Sequence, residues 1–523
     1  MALPVQTTSA CDSRLDRVSV IWTPALVGGL MLVGIIAALK AIHKPFWFDE
    51  IFTLIIAKMQ SPAEMIQALK VPIDIMPPPY YMICSAALRL APNEHIGLRL
   101  PSLCGYLMTV ACVYAFLSPR VDRISALAGA AFVTCTALSD YAYEARPYAL
   151  MTGSICCATC AWQRIDRSWA WAVALALSLG LAVSCHYYAV FAWPAFGFAE
   201  LLVLVCERRF RARAWLALAI GLVPFIVCWP LLANFRNVFG NNWWSAPRLG
   251  LIARSPMVLF KWAGGMWGPA TTAVLAVFCM GWVVRALPIA LSASFKWFPR
   301  GPLKLGESGL ALGLLGIPVI AVAAAYVAKG GMTDRYMMPA IVGAALSIGA
   351  LTSTFRPTFR AAALSIILLN YGLTELSSLL FYAKGRTLDS RDAISRPCET
   401  FLASLGEDPP PVVIADGLGY MQLALYCDPE TRSQIFAIAD PAAATASGSS
   451  DVVDRTLLLV RPYFPVNVTE YDDFIAQHGS FLLRVNGNTW GWLPTKLLED
   501  GHAVALVSHA DWGTIFRVTV MKP

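Results

Sequence analysis

Asp49 and Glu50 stand side by side in the run Phe46–Trp47–Phe48–Asp49–Glu50. Adjacent carboxylates beside aromatic rings can divide labour, one raised by low-dielectric surroundings toward the range of a general base, the other orienting substrate or holding a metal. The same pair also suits the first turn of a helix, where acids meet the positive end of the dipole. A second cluster, Asp140–Tyr141–Ala142–Tyr143–Glu144–Ala145–Arg146–Pro147–Tyr148, adds Glu144 as a third carboxylate. Its Arg146 can give two parallel hydrogen bonds to a phosphate, and Tyr148 can stack on a sugar or anchor at a membrane interface. A third, Lys329–Gly330–Gly331–Met332–Thr333–Asp334–Arg335–Tyr336, sets two cations beside a glycine pair that permits close backbone approach. His186, next to Tyr187 and Tyr188, is a further polar candidate. Met76–Pro77–Pro78–Pro79–Tyr80–Tyr81 is a rigid stretch that either starts a helix or holds a loop over a cavity.

The elements that must position these residues are membrane helices. Of 523 residues 57% are hydrophobic and 14% charged, against about 25% charged in soluble domains. Mean hydropathy is +0.59. Apolar runs at about 21–42, 99–117, 124–140, 147–162, 169–185, 188–206, 214–232, 267–284, 309–327, 337–355 and 361–379 each approach the ~20 residues that cross ~30 Å of hydrocarbon. They predict a polytopic α-helical membrane protein with about eleven transmembrane helices. The net charge of +7 is concentrated in short loops, Arg120 with Arg123, Arg164 with Arg167, Arg208 to Arg213, Arg285 to Lys304, and Arg356 with Arg360. Assigned to the cytoplasm, these loops put residues 1–20 inside and residues 43–98, 141–146, 186–187, 233–266, 329–336 and the tail outside. Residues 78–92 are short and proline-led, and read as a juxtamembrane helix. Four clusters far apart in sequence then share one outer face. No basic, aromatic-interleaved patch suggests nucleic acid.

Residues 381–523 change character and predict a small extracytoplasmic α/β domain, with strand signals at Val412–Ile414, Thr456–Val460 and Ala503–Val507 and a short helix over Tyr420–Tyr426. Asp416–Gly417–Leu418–Gly419 lacks the glycine count and spacing of a nucleotide-binding fingerprint, and 442–450 reads as a surface loop. The 14 cysteines fall mostly in apolar runs and imply neither zinc nor a disulfide framework. Cys398 and Cys427 in the tail could pair if the tail lies outside the cytoplasm.

The ordered set Asp49–Glu50, Pro77–Pro78–Pro79–Tyr80–Tyr81, Arg99–Leu100–Pro101–Ser102, Glu144–Ala145–Arg146–Pro147–Tyr148 and Arg335–Tyr336 before Pro339 resembles the bacterial membrane glycosyltransferases of the GT-C fold. It looks most like their protein-mannosyltransferase and aminoarabinose-transferase branch, over most of residues 20–380. The resemblance implies a multi-pass enzyme of the bacterial inner membrane that takes a monosaccharide from a polyprenyl-phosphate carrier, inverting its configuration, and gives it to an envelope glycan, lipid or protein. It implies Asp49 as catalytic residue with Glu50 and Glu144 beside it. Arg146, Tyr148, His186, Lys329, Arg335 and Tyr336 become candidates for the lipid-phosphate and substrate site. A divalent metal on Asp49 and Glu144 is an open expectation, and no nucleotide is expected. Met76 departs from the pattern, since many relatives carry a histidine or a charge immediately before the prolines. A transporter or flippase for a phosphate-bearing lipid would suit the same architecture but would place ionisable groups at mid-membrane. A noncatalytic envelope assembly protein would tolerate loss of Asp49 and Arg146.

Overall fold

The computed structural model describes residues 24–240, 243–260, 302–384, 390–406, 409–486, 491–510 and 512–521. Among these, five helices are long and apolar enough to cross a membrane: Pro24–His43, Glu94–Leu117, Tyr187–Glu207, Ala212–Phe239 and Pro357–Leu380. Counting each of two bent pairs as one span gives seven. The predicted figure of about eleven is therefore corrected downward. The physical reason is that an apolar run is not a straight helix. The run at 124–140 divides into Arg123–Thr134 and a 3-10 segment Ala137–Tyr143 bent by 63°, and 309–327 bends by 50° between Leu305–Leu315 and Ile317–Ala328. The runs near 147–162, 169–185 and 337–355 fold into helices of 16, 17 and 13 residues, roughly 20–26 Å at 1.5 Å per residue, short of ~30 Å. The run at 267–284, residues 1–20, Arg285, Lys296, Arg300 and the pair Asn241–Asn242 lie outside the described residues.

The helix Pro78–Leu90 has 13 residues and begins on prolines that fit its first turn. Glu94–Leu117 and Tyr148–Gln163 form the most extensive helix contact, because glycines let their backbones meet. A Cβ on Gly105 would stand 2.3 Å from Leu150 Cα, and one on Gly153 2.3 Å from Gly105 O. This contact brings the start of the second helix to the first, where Ser102 Oγ donates to the Arg146 carbonyl and Glu50 accepts from both Arg99 and Ala145 N–H. Lys40 of the first span pairs with Glu375 of the last, both nearly buried, so the two ends of the membrane region are tied by a charge pair.

The tail holds a six-stranded sheet in the order β3-β2-β1-β4-β6-β5, made of β1 (Val412–Ile414), β2 (Ile435–Ala439), β3 (Val468–Glu470), β4 (Ser480–Val485), β5 (Ala503–Ala510) and β6 (Gly513–Thr519). The four strands β3, β2, β1 and β4 run parallel, and β6 and β5 close the sheet as an antiparallel hairpin. Two of the three strand signals are strands. The third, Thr456–Val460, lies in the helix Val452–Val460. A short apolar run fits either state, and here Leu457 and Val460 form the buried face of a helix. Residues 442–450 are not all loop, since Asp440 caps a helix Pro441–Ala446 by accepting from Ala442 and Ala443 N–H. Successive β1 residues serve different cores. Val412 and Ile414 join the large core that includes the membrane helices, while Val413 joins a separate one with Phe474, Phe481 and Leu493.

Candidate active site

Glu50 is fully buried and bound on every side. Arg99 gives it two hydrogen bonds of 2.8 Å, through Nε to Oε1 and Nη2 to Oε2. Ala145 N–H donates to Oε1 at 2.6 Å and Trp47 N–H to Oε2 at 3.0 Å. Burial alone would raise this carboxyl, but the charge and hydrogen bonds of Arg99 outweigh it and hold Glu50 below its ordinary value. Arg99 also donates to the carbonyls of Ala41, Lys44 and Pro45. The pair thus stitches the end of the first span, the start of the helix Phe48–Ala57 and the turn before Arg146 into one unit.

That unit presents Asp49 differently. Its Oδ2 lies 3.2 Å from Arg335 Nη1 and 3.5 Å from Arg146 Nη2, and its side chain keeps a quarter of its exposure. Arg146 is fixed from behind, its backbone carbonyl accepting from Ser102 Oγ at 2.8 Å and its Nη1 donating to the Asp49 carbonyl at 3.3 Å. Its other flank carries Asp74, whose Oδ2 is 3.7 Å from Arg146 Nη1. Asp74 was not among the residues singled out from the sequence. Its signal is its place three residues before the proline run, where it supplies the charge that Met76 does not. Met76 is instead buried, its N–H donating to Tyr81 Oη at 3.3 Å. Burial pushes the Asp74 carboxyl up, opposed by Arg146 and reinforced by the charge of Asp49.

An aromatic box closes around the two arginines. Tyr148 lies 5.3 Å from His186 and 6.2 Å from Tyr336, His186 lies 5.1 Å from Tyr336, and Tyr188 lies tilted against Tyr336 at 4.4 Å. Arg146 and Arg335 both sit over the Tyr148 ring, and Arg335 also over Trp244. Trp243 and Trp244 are brought in because Ser245 and Met332 exchange backbone and side-chain hydrogen bonds. Gly331 makes the approach possible: a Cβ there would stand 2.1 Å from Trp243. Burial, then the charges of Arg146 and Arg335, lower the His186 pKa to about 3, so the ring is neutral near pH 7. Its Nδ1 accepts from Tyr188 N–H at 3.1 Å, which leaves the proton on Nε2. Five buried polar atoms of this box have no partner among the described residues: Arg146 Nε, Arg335 Nε, His186 Nε2, Tyr148 Oη and Trp243 Nε1. All five can donate, and buried donors need acceptors.

Two predicted site residues are placed elsewhere. Glu144 turns away from Asp49 to pair with Lys44, and its carboxyl is nonetheless raised, burial outweighing Lys44. Lys329 ends the helix Ile317–Ala328 in left-handed backbone (φ 49°) and is exposed. Among the described residues no three His, Cys, Asp or Glu side chains are grouped to hold a metal. The two carboxylates considered for one do not converge, since Arg146 and Arg335 stand against Asp49 and Lys44 against Glu144.

The profile of the dolichyl-phosphate-mannose-protein mannosyltransferases matches residues 76–234, a stretch that includes the proline run, Arg99, Arg146 and His186. No curated protein matches the chain. Among solved structures, ArnT from Cupriavidus metallidurans bound to undecaprenyl phosphate is 14% identical, with a TM-score of 0.53 over 97% of this chain and 100% of that one. The oligosaccharyltransferase of Archaeoglobus fulgidus in the apo form is 10% identical with a TM-score of 0.46 over 96% and 75%. Along almost its whole length the chain therefore has the ArnT-like GT-C membrane fold that its ordered motifs resemble.

Proposed function

We propose that the protein transfers a monosaccharide from a polyprenyl-phosphate carrier to an acceptor at the extracytoplasmic face of the membrane. The observation that carries this reading is the set of buried donors on Arg146, Arg335, His186 and Tyr148 that have no partner among the described residues, placed around an accessible carboxylate on Asp49. The phosphodiester that joins the sugar to its carrier, and the phosphate monoester it becomes as the sugar leaves, present the acceptors that such donors lack. Two guanidiniums and a neutral imidazole N–H would stabilise the negative charge that grows on the carrier phosphate as the glycosidic bond breaks. Asp49 would take the proton of the attacking acceptor hydroxyl. A single displacement of this kind inverts the anomeric centre. Glu50 then acts as a positioning residue, because all its hydrogen bonding is spent on Arg99, Ala145 and Trp47.

A flippase would have to move the phosphate across mid-membrane, whereas the arginine pair and its aromatic box gather at loops and helix starts. The test is transfer from radiolabelled polyprenyl-phosphate sugars to an envelope extract by the purified protein. Asp49→Asn is expected to lower the rate by roughly 10²–10⁴-fold, with membrane insertion intact. A native rate in that variant would overturn the assignment of Asp49, and no transfer across a broad donor panel would overturn the reading itself.

A further inference from the structure

The tail contains two cysteines, Cys398 and Cys427; the other twelve of the 14 precede it. Cys398 lies on the helix Ser390–Ala403, which follows the last span, and Cys427 ends the helix Gly417–Tyr426. The two helices pack against each other. Both side chains are buried, at 0% and 2% exposure, and both are free thiols in this structure, close enough for each to act on the other. The helix that Cys427 ends is also the one that reaches the candidate site. Its Tyr426 hydroxyl accepts from Phe46 N–H at 2.7 Å and its Gln422 donates to Phe46 O at 2.8 Å, three residues before Asp49.

We propose that Cys398 and Cys427 form a structural disulfide that staples the exit of the last span to the helix holding the entrance of the candidate site. The proposal rests on the extracytoplasmic placement of the tail under the proposed function, because such bonds persist in oxidising compartments and not in the cytoplasm. The bond forms by thiol–disulfide exchange before the two helices pack, while the thiols are still open. One cysteine thiolate attacks a disulfide-bearing protein oxidant to give a mixed disulfide, and the second displaces it. One S–S bond forms in this chain and one breaks in the oxidant. The electron pair and the two thiol protons end on the oxidant's two sulfurs. Once packed, the bond is shielded from reductant.

The experiment uses the full-length protein, denatured directly from cells with one maleimide, then reduced and treated with a second of different mass. Peptide mass spectrometry is expected to find Cys398 and Cys427 carrying the second reagent, and a linked peptide before reduction. In Cys398→Ser the Cys427 thiol is expected to take the first reagent instead, and the native protein is expected to unfold at a higher temperature than Cys398→Ala/Cys427→Ala. Tail placement is read separately by adding Ala446→Cys, at an exposed position, to that double variant and labelling intact cells with a membrane-impermeant maleimide. Both native thiols taking the first reagent while position 446 is labelled from outside would overturn the disulfide and leave the topology standing. Free thiols together with a protected position 446 would overturn both.

Discussion

Arg146 stands between two carboxylates that do different things to it. Asp49 meets it from the accessible side and Asp74 from the buried side, at 3.5 and 3.7 Å. Asp74 gives the guanidinium a second fixed charge, so that its remaining donor, Nε, is aimed rather than free to rotate. Because burial raises the Asp74 carboxyl, it protonates at a higher pH than an ordinary carboxylate and then ceases to hold Arg146. The native rate is expected to fall as pH drops from neutrality through that raised value. Asp74→Asn, which copies the protonated form, should turn over roughly tenfold more slowly at pH 7.5 with little change in donor KM, and its rate should meet the native one as the pH falls. Equal kcat values at pH 7.5 would remove Asp74 from the site. The grouping of residue types was largely legible in the sequence: arginine beside tyrosine, and a carboxylate at the end of the first span. Which carboxylate faces outward was not, because Asp49 and Glu50 differ by one helical position and only the packing of Arg99 decides between them.

At the scale of elements, the Glu50–Arg99 pair is the joint between the first span, the helix Phe48–Ala57 and the turn that delivers Arg146. Removing one partner of a buried ion pair strands the other charge and costs roughly 3–5 kcal/mol. Glu50→Gln keeps the shape and two acceptor contacts but loses the charge, so a large fraction of that loss is expected in thermal unfolding of the detergent-solubilised protein at pH 7. The sign with pH follows from the depressed carboxyl. A folded pKa below the unfolded one gives stabilisation that is complete above the unfolded value and is lost as pH falls through the folded value. The gap between native and variant should therefore stay constant from pH 7.5 to about 5 and close only in stronger acid. A gap that is absent at pH 7 would show that the pair contributes no net stability. The elements themselves were less legible than the residues. Apolar composition marks a run as membrane-compatible, yet the bends at Cys135–Thr136 and at Gly316 depend on how neighbouring helices pack. Likewise Thr456–Val460 carries no periodicity long enough to separate strand from helix.

At the scale of the whole molecule, the tail is a clamp on the membrane domain. Phe46 is stacked on His95 at 4.2 Å, lies under Arg99, and is held at both its N–H and its carbonyl by the tail helix Gly417–Tyr426. Charge bias and span order led to the expectation that clusters far apart in sequence share one face, and the structure does bring Asp49, Arg146, Arg335 and His186 together, although the spans are fewer than expected. Charge and span order could not reveal a bond between residues 380 positions apart made by uncharged side chains. If this clamp sets the approach of Asp49 to the acceptor, loosening it should affect turnover and spare donor binding, which the proposed function assigns to Arg146, Arg335 and His186. Tyr426→Phe keeps the ring and removes only the hydroxyl, leaving the Phe46 N–H without its acceptor, a loss of about 1–3 kcal/mol. Combined with Gln422→Ala, it is expected to lower kcat roughly tenfold, leave donor KM within about twofold, and speed amide exchange across residues 44–52 in the full-length protein. Faster exchange with an unchanged kcat would mean that the tail braces the loop without positioning the chemistry. Slower turnover with a matching rise in donor KM would place the acceptor-side role elsewhere, because the ion pairs of Arg146 and Arg335 among the described residues are with Asp49 and Asp74 and not with the tail helix.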